Sequence, residues 1–201
     1  MNNNYVKTIG YYVGWLVLFA FTPGLINYNF GVAGLFNQSD EVSVWINSAV
    51  MLLVFLSLIF FDWQKSRSYF LNNLSKRSAL IVVAIILISL ATLPFHYKMI
   101  FHVVTYAFWM FSSVVWQNYV SFGWLYGRLS DIFSKNISQL ITTLAFASGH
   151  VIYIWQKFGL TQPVSLIFIL LVALLLSSLR RFTGNISWQI AIHLAFYYLL
   201  S

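Results

Sequence analysis

Apolar residues gather along this chain in seven runs, near 9–26, 42–61, 79–93, 100–126, 137–158, 164–179 and 186–200. A helix crossing a bilayer needs about 20 predominantly apolar residues, and these runs approach or reach that length. Pro23-Gly24 and Pro94 mark the ends of the first and third runs. Pro163 opens the sixth, where its missing N–H costs nothing. The first and third runs are short, which fits a tilted or half-inserted helix. The fourth is long, with a bend expected at Ser112-Ser113, and the sixth is so aliphatic that it is expected to face lipid. The stretch 62–78, DWQKSRSYFLNNLSKRS, reads either as an interfacial helix on an anionic leaflet or as a plain loop.

The polar positions inside the runs carry the chemistry. Residues 144–153 read LAFASGHVIY, so His150 sits in an apolar, membrane-length segment. An ionisable group at that depth is costly unless it faces helices, water or a ligand, which makes it a functional-site candidate. Ser113, Gln117 and Ser121 recur every four residues in the fourth run, and Asn185, Gln189, His193 and Tyr197 do so around the seventh. On a helix each set occupies one face. Such polar side chains also serve as interhelical glue at about 1 kcal/mol or less per contact; the serine and glutamine stripe alone fits that role. Two histidines at matching depth favour a site. His96 and His102 flank a turn and read as interfacial, and Gly127, Gly149 and Gly159 as points of close helix approach or turning.

Composition excludes a soluble protein. The chain is 60% hydrophobic and 7% charged, against about 25% charged in soluble domains. An all-α, polytopic membrane bundle follows, one domain over residues 1–201 with no repeat or linker, and the lipid bilayer is its first partner. Cysteine is absent, which excludes disulfides and cysteine nucleophiles.

The net charge of +7 raises the question of nucleic acid. With seven spans, the N-terminus and alternate loops hold Lys7, Lys65, Arg67, Lys76, Arg77, Arg128, Lys135, Arg180 and Arg181, while the other side holds Lys98 and Lys157 beside Asp40-Glu41. That bias places the N-terminus in the cytoplasm and the C-terminus outside. It explains the charge without a nucleic-acid partner. Lys7 precedes an apolar run, but FTPG lacks the small residues of a cleavage site, so no cleavable signal is expected. Counted from the nearest basic residue, Gln117 lies about 16 Å, His193 about 18 Å and His150 about 22 Å into the bilayer, one shared layer.

The motifs resemble a known family. Residues 116–200 are similar to the CAAX prenyl protease and bacteriocin-processing (CPBP, or Abi) family of intramembrane proteases, whose core carries EExxxR, then FxxxH, then HxxxN two helices later. FASGH, Phe146 to His150, matches the second signature. RRFTGNISWQIAIHLAFYY, with His193, resembles the third. Aligned on the following LYGRL, the first signature becomes QNYVSFG: Gln117 and Asn118 stand for the paired glutamates, Phe122 for the arginine, and Tyr197 stands at the asparagine of the third. The resemblance implies, for active members, a glutamate that activates water with help from the histidines. An amide cannot take that proton. The chain's four acids, Asp40, Glu41, Asp62 and Asp131, all fall in expected loops.

Two readings follow. One is a non-catalytic relative in a bacterial cell membrane, holding a peptide or membrane-protein partner against Gln117, Asn118, Ser121, Phe146, Gln189 and Tyr197, with the bacteriocin self-immunity role to which bacterial members are linked. The other is an active endopeptidase that uses His150 or His193 as base, or Ser121 or Ser148 as nucleophile. Two histidines supply half of a typical zinc shell, so no metal site and no cofactor are expected. Inverted repeats or broken helices that would point to a transporter are not visible.

Overall fold

A computed structural model of the chain describes residues 3–23, 41–98, 101–154, 159 and 161–201. Every regular element among these residues is helical. In order they are α1 (Asn3–Ala20), α2 (Glu41–Phe61), α3 (Trp63–Leu71), α4 (Lys76–Thr92) with a 3-10 turn at Leu93–Phe95, α5 (Val103–Asn118), a π-helical stretch (Tyr119–Leu125), α6 (Tyr126–Ser130), α7 (Lys135–Tyr153), α8 (Pro163–Thr183) and α9 (Ser187–Leu199). Helices therefore occupy all seven apolar runs. Among the described residues three helical stretches are long and apolar enough by themselves to cross a membrane, Glu41–Phe61, Lys76–Phe95 and Pro163–Thr183.

Local chemistry sets the ends. Ser75 caps α4 by accepting the Ser78 N–H at 3.1 Å, and Ser134 stands at the same place before α7. These caps satisfy amides that a helix start leaves orphaned. Pro163 occupies the first turn of α8, and Gly184, with φ of +76°, closes it in the left-handed region that favours glycine.

Glu41 and Trp45 meet the start of α5, through His102, Thr105 and Phe108, while Phe55 meets Tyr119. So α2 and α5 run parallel, which requires α3 and α4 to return the chain between them. Helix α7 packs along α8, and α9 along α4 and α5. Trp15 of α1 reaches Ser121 and Leu18 reaches Trp116, so α1 runs antiparallel to α5. One end of the bundle carries α3; the other carries Glu41 and His102.

Two sequence expectations change, and one open alternative is decided. The irregularity in the fourth run is the π stretch at Tyr119–Leu125, not a bend at Ser112-Ser113, where Ser112 bonds the Trp109 carbonyl inside a regular helix. Helix α8 does not simply face lipid. It exposes Val164, Ile167, Leu171 and Leu175 but buries Ile169, Ala173, Leu176, Ser177 and Arg180, and Ser177 and Ser178 bond Thr143 and Gln139 of α7. The 62–78 stretch contains a helix, α3, with Ser66 and Tyr69 buried. Gly24, Asp40 and Lys157 lie outside the described residues.

Candidate functional site

Phe146 stands at the centre of the site. Its ring lies 4.6 Å from the imidazole of His150 and 6.3 Å from that of His193, and also contacts Phe122 at 5.2 Å and Phe19 at 5.8 Å. The four-residue spacing of FASGH puts Phe146 and His150 on one face of α7, and that face meets α9. Both histidines are 5% exposed and Phe146 is fully buried.

The hydrogen bonds assign the ring protons. His150 Nδ1 lies 2.8 Å from the Phe146 carbonyl, which can only accept, so Nδ1 carries the proton and Nε2 the lone pair. Asn118 Nδ2 lies 2.7 Å from the Val114 carbonyl and 3.0 Å from His193 Nδ1. The carbonyl fixes which amide atom is nitrogen; that nitrogen donates to His193 Nδ1, so the His193 proton sits on Nε2. The two imidazoles thus present opposite faces of the same chemistry: a lone pair on one Nε2 and an N–H on the other. Asn118 Oδ1 is buried with no hydrogen-bond partner.

The remaining expected residues divide. Tyr197 stacks on His193 at 5.3 Å with its ring 25° from parallel. Gln117 is buried beside Asn118, and Ser113 is buried one turn earlier with its hydroxyl unpartnered. Ser121, within the π stretch, accepts the indole N–H of Trp15 at 3.0 Å; the wider turn takes it out of the Ser113/Gln117 stripe and toward α1. Ser148 bonds the Tyr12 hydroxyl at 2.9 Å and donates to the Ala145 carbonyl at 2.8 Å. Both candidate nucleophiles are engaged in holding α1. Gln189 turns to α8, donating to the Leu176 carbonyl at 3.2 Å. Asn185 lies at the start of α9, where its amide donates to the Asn72 carbonyl and its oxygen accepts from Ser187 N–H.

The described acids are engaged at the ends of the bundle. Lys65 pairs with Asp131 at 3.0 Å and Arg128 with Asp62 at 4.0 Å, both at the α3 end. Glu41 accepts from the His102 N–H and from the Thr105 hydroxyl at the other. Among the described residues no three His, Asp or Glu side chains converge as a metal site would require.

Sequence reasoning missed the wall of the site. Phe19 lies 5.4 Å from His150 and 4.8 Å from Trp15. Tyr12, Trp15 and Phe19 follow the three-and-four spacing of one helix face, a signal present in the chain but hidden among apolar neighbours.

Fold and site together define a helical membrane protein that holds two histidines and an amide in an apolar interior. The family described as Type II CAAX prenyl endopeptidase Rce1-like matches residues 100–199, and through this C-terminal half the chain belongs to that family. Neither a curated protein nor a solved structure matches the chain significantly.

Proposed function

We propose that this protein is a non-catalytic member of the family, which binds a peptide segment or a partner membrane protein at the imidazole layer without hydrolysing it. The observation that carries this reading is the Asn118 amide. At the position that the family resemblance gives to a glutamate, an amide donates to His193 Nδ1. A carboxylate there would accept a proton, whereas the amide supplies one and leaves no carboxylate to deprotonate water. Gln117 beside it has the same limitation. Losing both glutamates together with the arginine, here Phe122, also leaves no unpaired ion in a low-dielectric interior. The surrounding rings of Phe19, Phe122, Phe146 and Tyr197 suit an apolar guest.

The seven helical runs and the basic bias support seven spans with the N-terminus in the cytoplasm of a bacterial cell, and self-immunity against a peptide bacteriocin is the role we favour. Reporter fusions at the two termini test the topology: opposite sides are expected.

A second reading rests on the matched imidazole protons. His150 Nε2 could take a proton while His193 Nε2–H steadies an oxyanion, which would make a histidine-based endopeptidase. Incubating the purified full-length protein with prenylated CAAX peptides separates the two. Unchanged peptide is expected. Cleavage that disappears in both His150→Ala and His193→Ala would install the second reading.

A further inference from the structure

The end of the bundle that carries α3 contains a second polar site, unrelated to the imidazoles. Arg180, in the last turn of α8, is 8% exposed. A buried guanidinium is expensive unless it is paired, yet among the described residues no carboxylate lies within ion-pair distance of it. Asp62 and Asp131 are close in sequence to its surroundings but are held by Arg128 and Lys65. One Arg180 nitrogen donates to the Gly184 carbonyl. Its flat face lies between two rings, 5.7 Å from the centre of Tyr69 and 5.4 Å from that of Tyr126.

Polar atoms gather around this cation: Arg180 Nε and the Tyr69 hydroxyl are buried without a hydrogen-bond partner, and the buried hydroxyls of Tyr126 and Ser130 interact with each other but with no further group. Ser130 lies one helical turn beyond Tyr126 and therefore on the same face. The Tyr69 hydroxyl lies against Gly127, where a Cβ would stand 2.9 Å from it. Burial holds the Tyr69 phenol above its usual range, so it keeps its proton. The guanidinium can only donate and each hydroxyl can donate one proton. Several donors around one unpaired positive charge call for an oxygen-rich anion, and a buried unsatisfied cluster in a folded protein requires such an explanation.

The position of Tyr69 is itself fixed. Ile186 N–H bonds the Tyr69 carbonyl at 2.7 Å, Ser187 Oγ the Phe70 carbonyl at 2.8 Å and Asn185 Nδ2 the Asn72 carbonyl at 2.9 Å. The turn between α8 and α9 thus clamps the end of α3 over Arg180. Gly127 and Arg128, at its edge, are half-buried.

The geometry points to a binding site for a phosphate group, gripped by Arg180, Tyr69, Tyr126 and Ser130 under α3. The phosphate can belong to an anionic lipid headgroup, since basic sites between helices take such groups, or be free in solution.

The test uses the full-length protein in two settings: phosphatidylcholine nanodiscs with and without phosphatidylglycerol, and neutral detergent with sodium phosphate or sodium chloride at matched ionic strength. The unfolding midpoint is the readout, because a ligand of the folded state raises it. A rise with phosphatidylglycerol alone assigns the lipid headgroup; a rise with phosphate assigns the free anion. Either supports the site if Tyr126→Phe, which removes one hydroxyl and keeps the ring, weakens apparent affinity at least about tenfold. Arg180→Gln is expected to abolish the rise. No rise in either setting, or a rise that Tyr126→Phe leaves unchanged, overturns the proposal whether or not Arg180→Gln folds.

Discussion

Helices α1 and α3 both lie outside the matched residues 100–199, and each covers one polar region of that half by different means. Helix α1 covers the imidazoles with rings and attaches through separate bonds: Trp15 to Ser121, Tyr12 to Ser148, Tyr153 to the Leu16 carbonyl and Trp116 to the Leu18 carbonyl. Helix α3 covers Arg180 and is held largely by its own final carbonyls, gripped from residues 185–187, with side-chain bonds from Ser66 to Tyr119 and from Lys65 to Asp131. The contrast follows the charge beneath. A neutral site can be walled with apolar rings, whose placement tolerates small shifts. A buried cation needs oxygen atoms at set positions, and backbone-anchored geometry sets them better than independent side chains do.

The largest effect should come from filling the space that lets α1 approach. A Cβ at Gly149 would stand 2.8 Å from both Phe19 and Trp15, each fully buried. Gly149→Leu should therefore expel that pair and lower stability by about 3 kcal/mol, the upper part of the usual range for overpacking. Unfolding in detergent measures the loss. Tryptophan emission should move to longer wavelength as Trp15 leaves the interior. A variant as stable as the parent would mean that α1 does not wall the site at all.

The contrast between the two covers also explains what could be read from the sequence. The apolar runs located α1, α2, α4, α5, α7, α8 and α9, because membrane-length hydrophobicity is a strong, local signal, whereas α3 lay in a stretch that read equally as helix or loop. His150, His193, Asn118, Phe146 and Tyr197 came from motif spacing and do meet, and Gly127 and Gly149 are points of close approach as expected. Tyr12, Trp15 and Phe19 were not legible. Aromatic residues on an apolar segment look the same whether they face lipid or a histidine. Ser121 looked like a member of the site because its spacing assumed a regular helix, and the π stretch at Tyr119–Leu125 changes the turn. Arg180 was counted among loop charges. Its burial depends on α3 folding over it, a contact between residues more than a hundred positions apart that no local pattern encodes.

A smaller effect, confined to the other cover, is expected from Asn185→Ala. Asn185 is 1% exposed and its side chain serves both the Asn72 carbonyl and the Ser187 N–H. Removing it leaves those groups without that partner, at a cost of about 1–2 kcal/mol. The discriminating readout is local. Tyr69 should lose its fixed position, so stabilisation by the anion at Arg180 should fall while the environment of Trp15 stays as it was. Equal disturbance of both regions would show that the two covers form a single cooperative unit.

Trp15→Phe should have the smallest effect and the most specific one. The ring packing against Phe19 is largely kept, and only the indole N–H to Ser121 is lost. A typical hydrogen bond contributes about 1 kcal/mol net, and the Ser121 hydroxyl is left in a site that is fully buried, so the expected loss is about 1 kcal/mol with no change in anion binding at the α3 end. Combining it with Asn185→Ala decides the matter. Independent covers predict that the two losses add, because distant sites without shared partners do so within about 0.5 kcal/mol. A double variant that loses markedly more or less than the sum would couple α1 to α3 through the π stretch, which touches Trp15 by Ser121 and Ser66 by Tyr119.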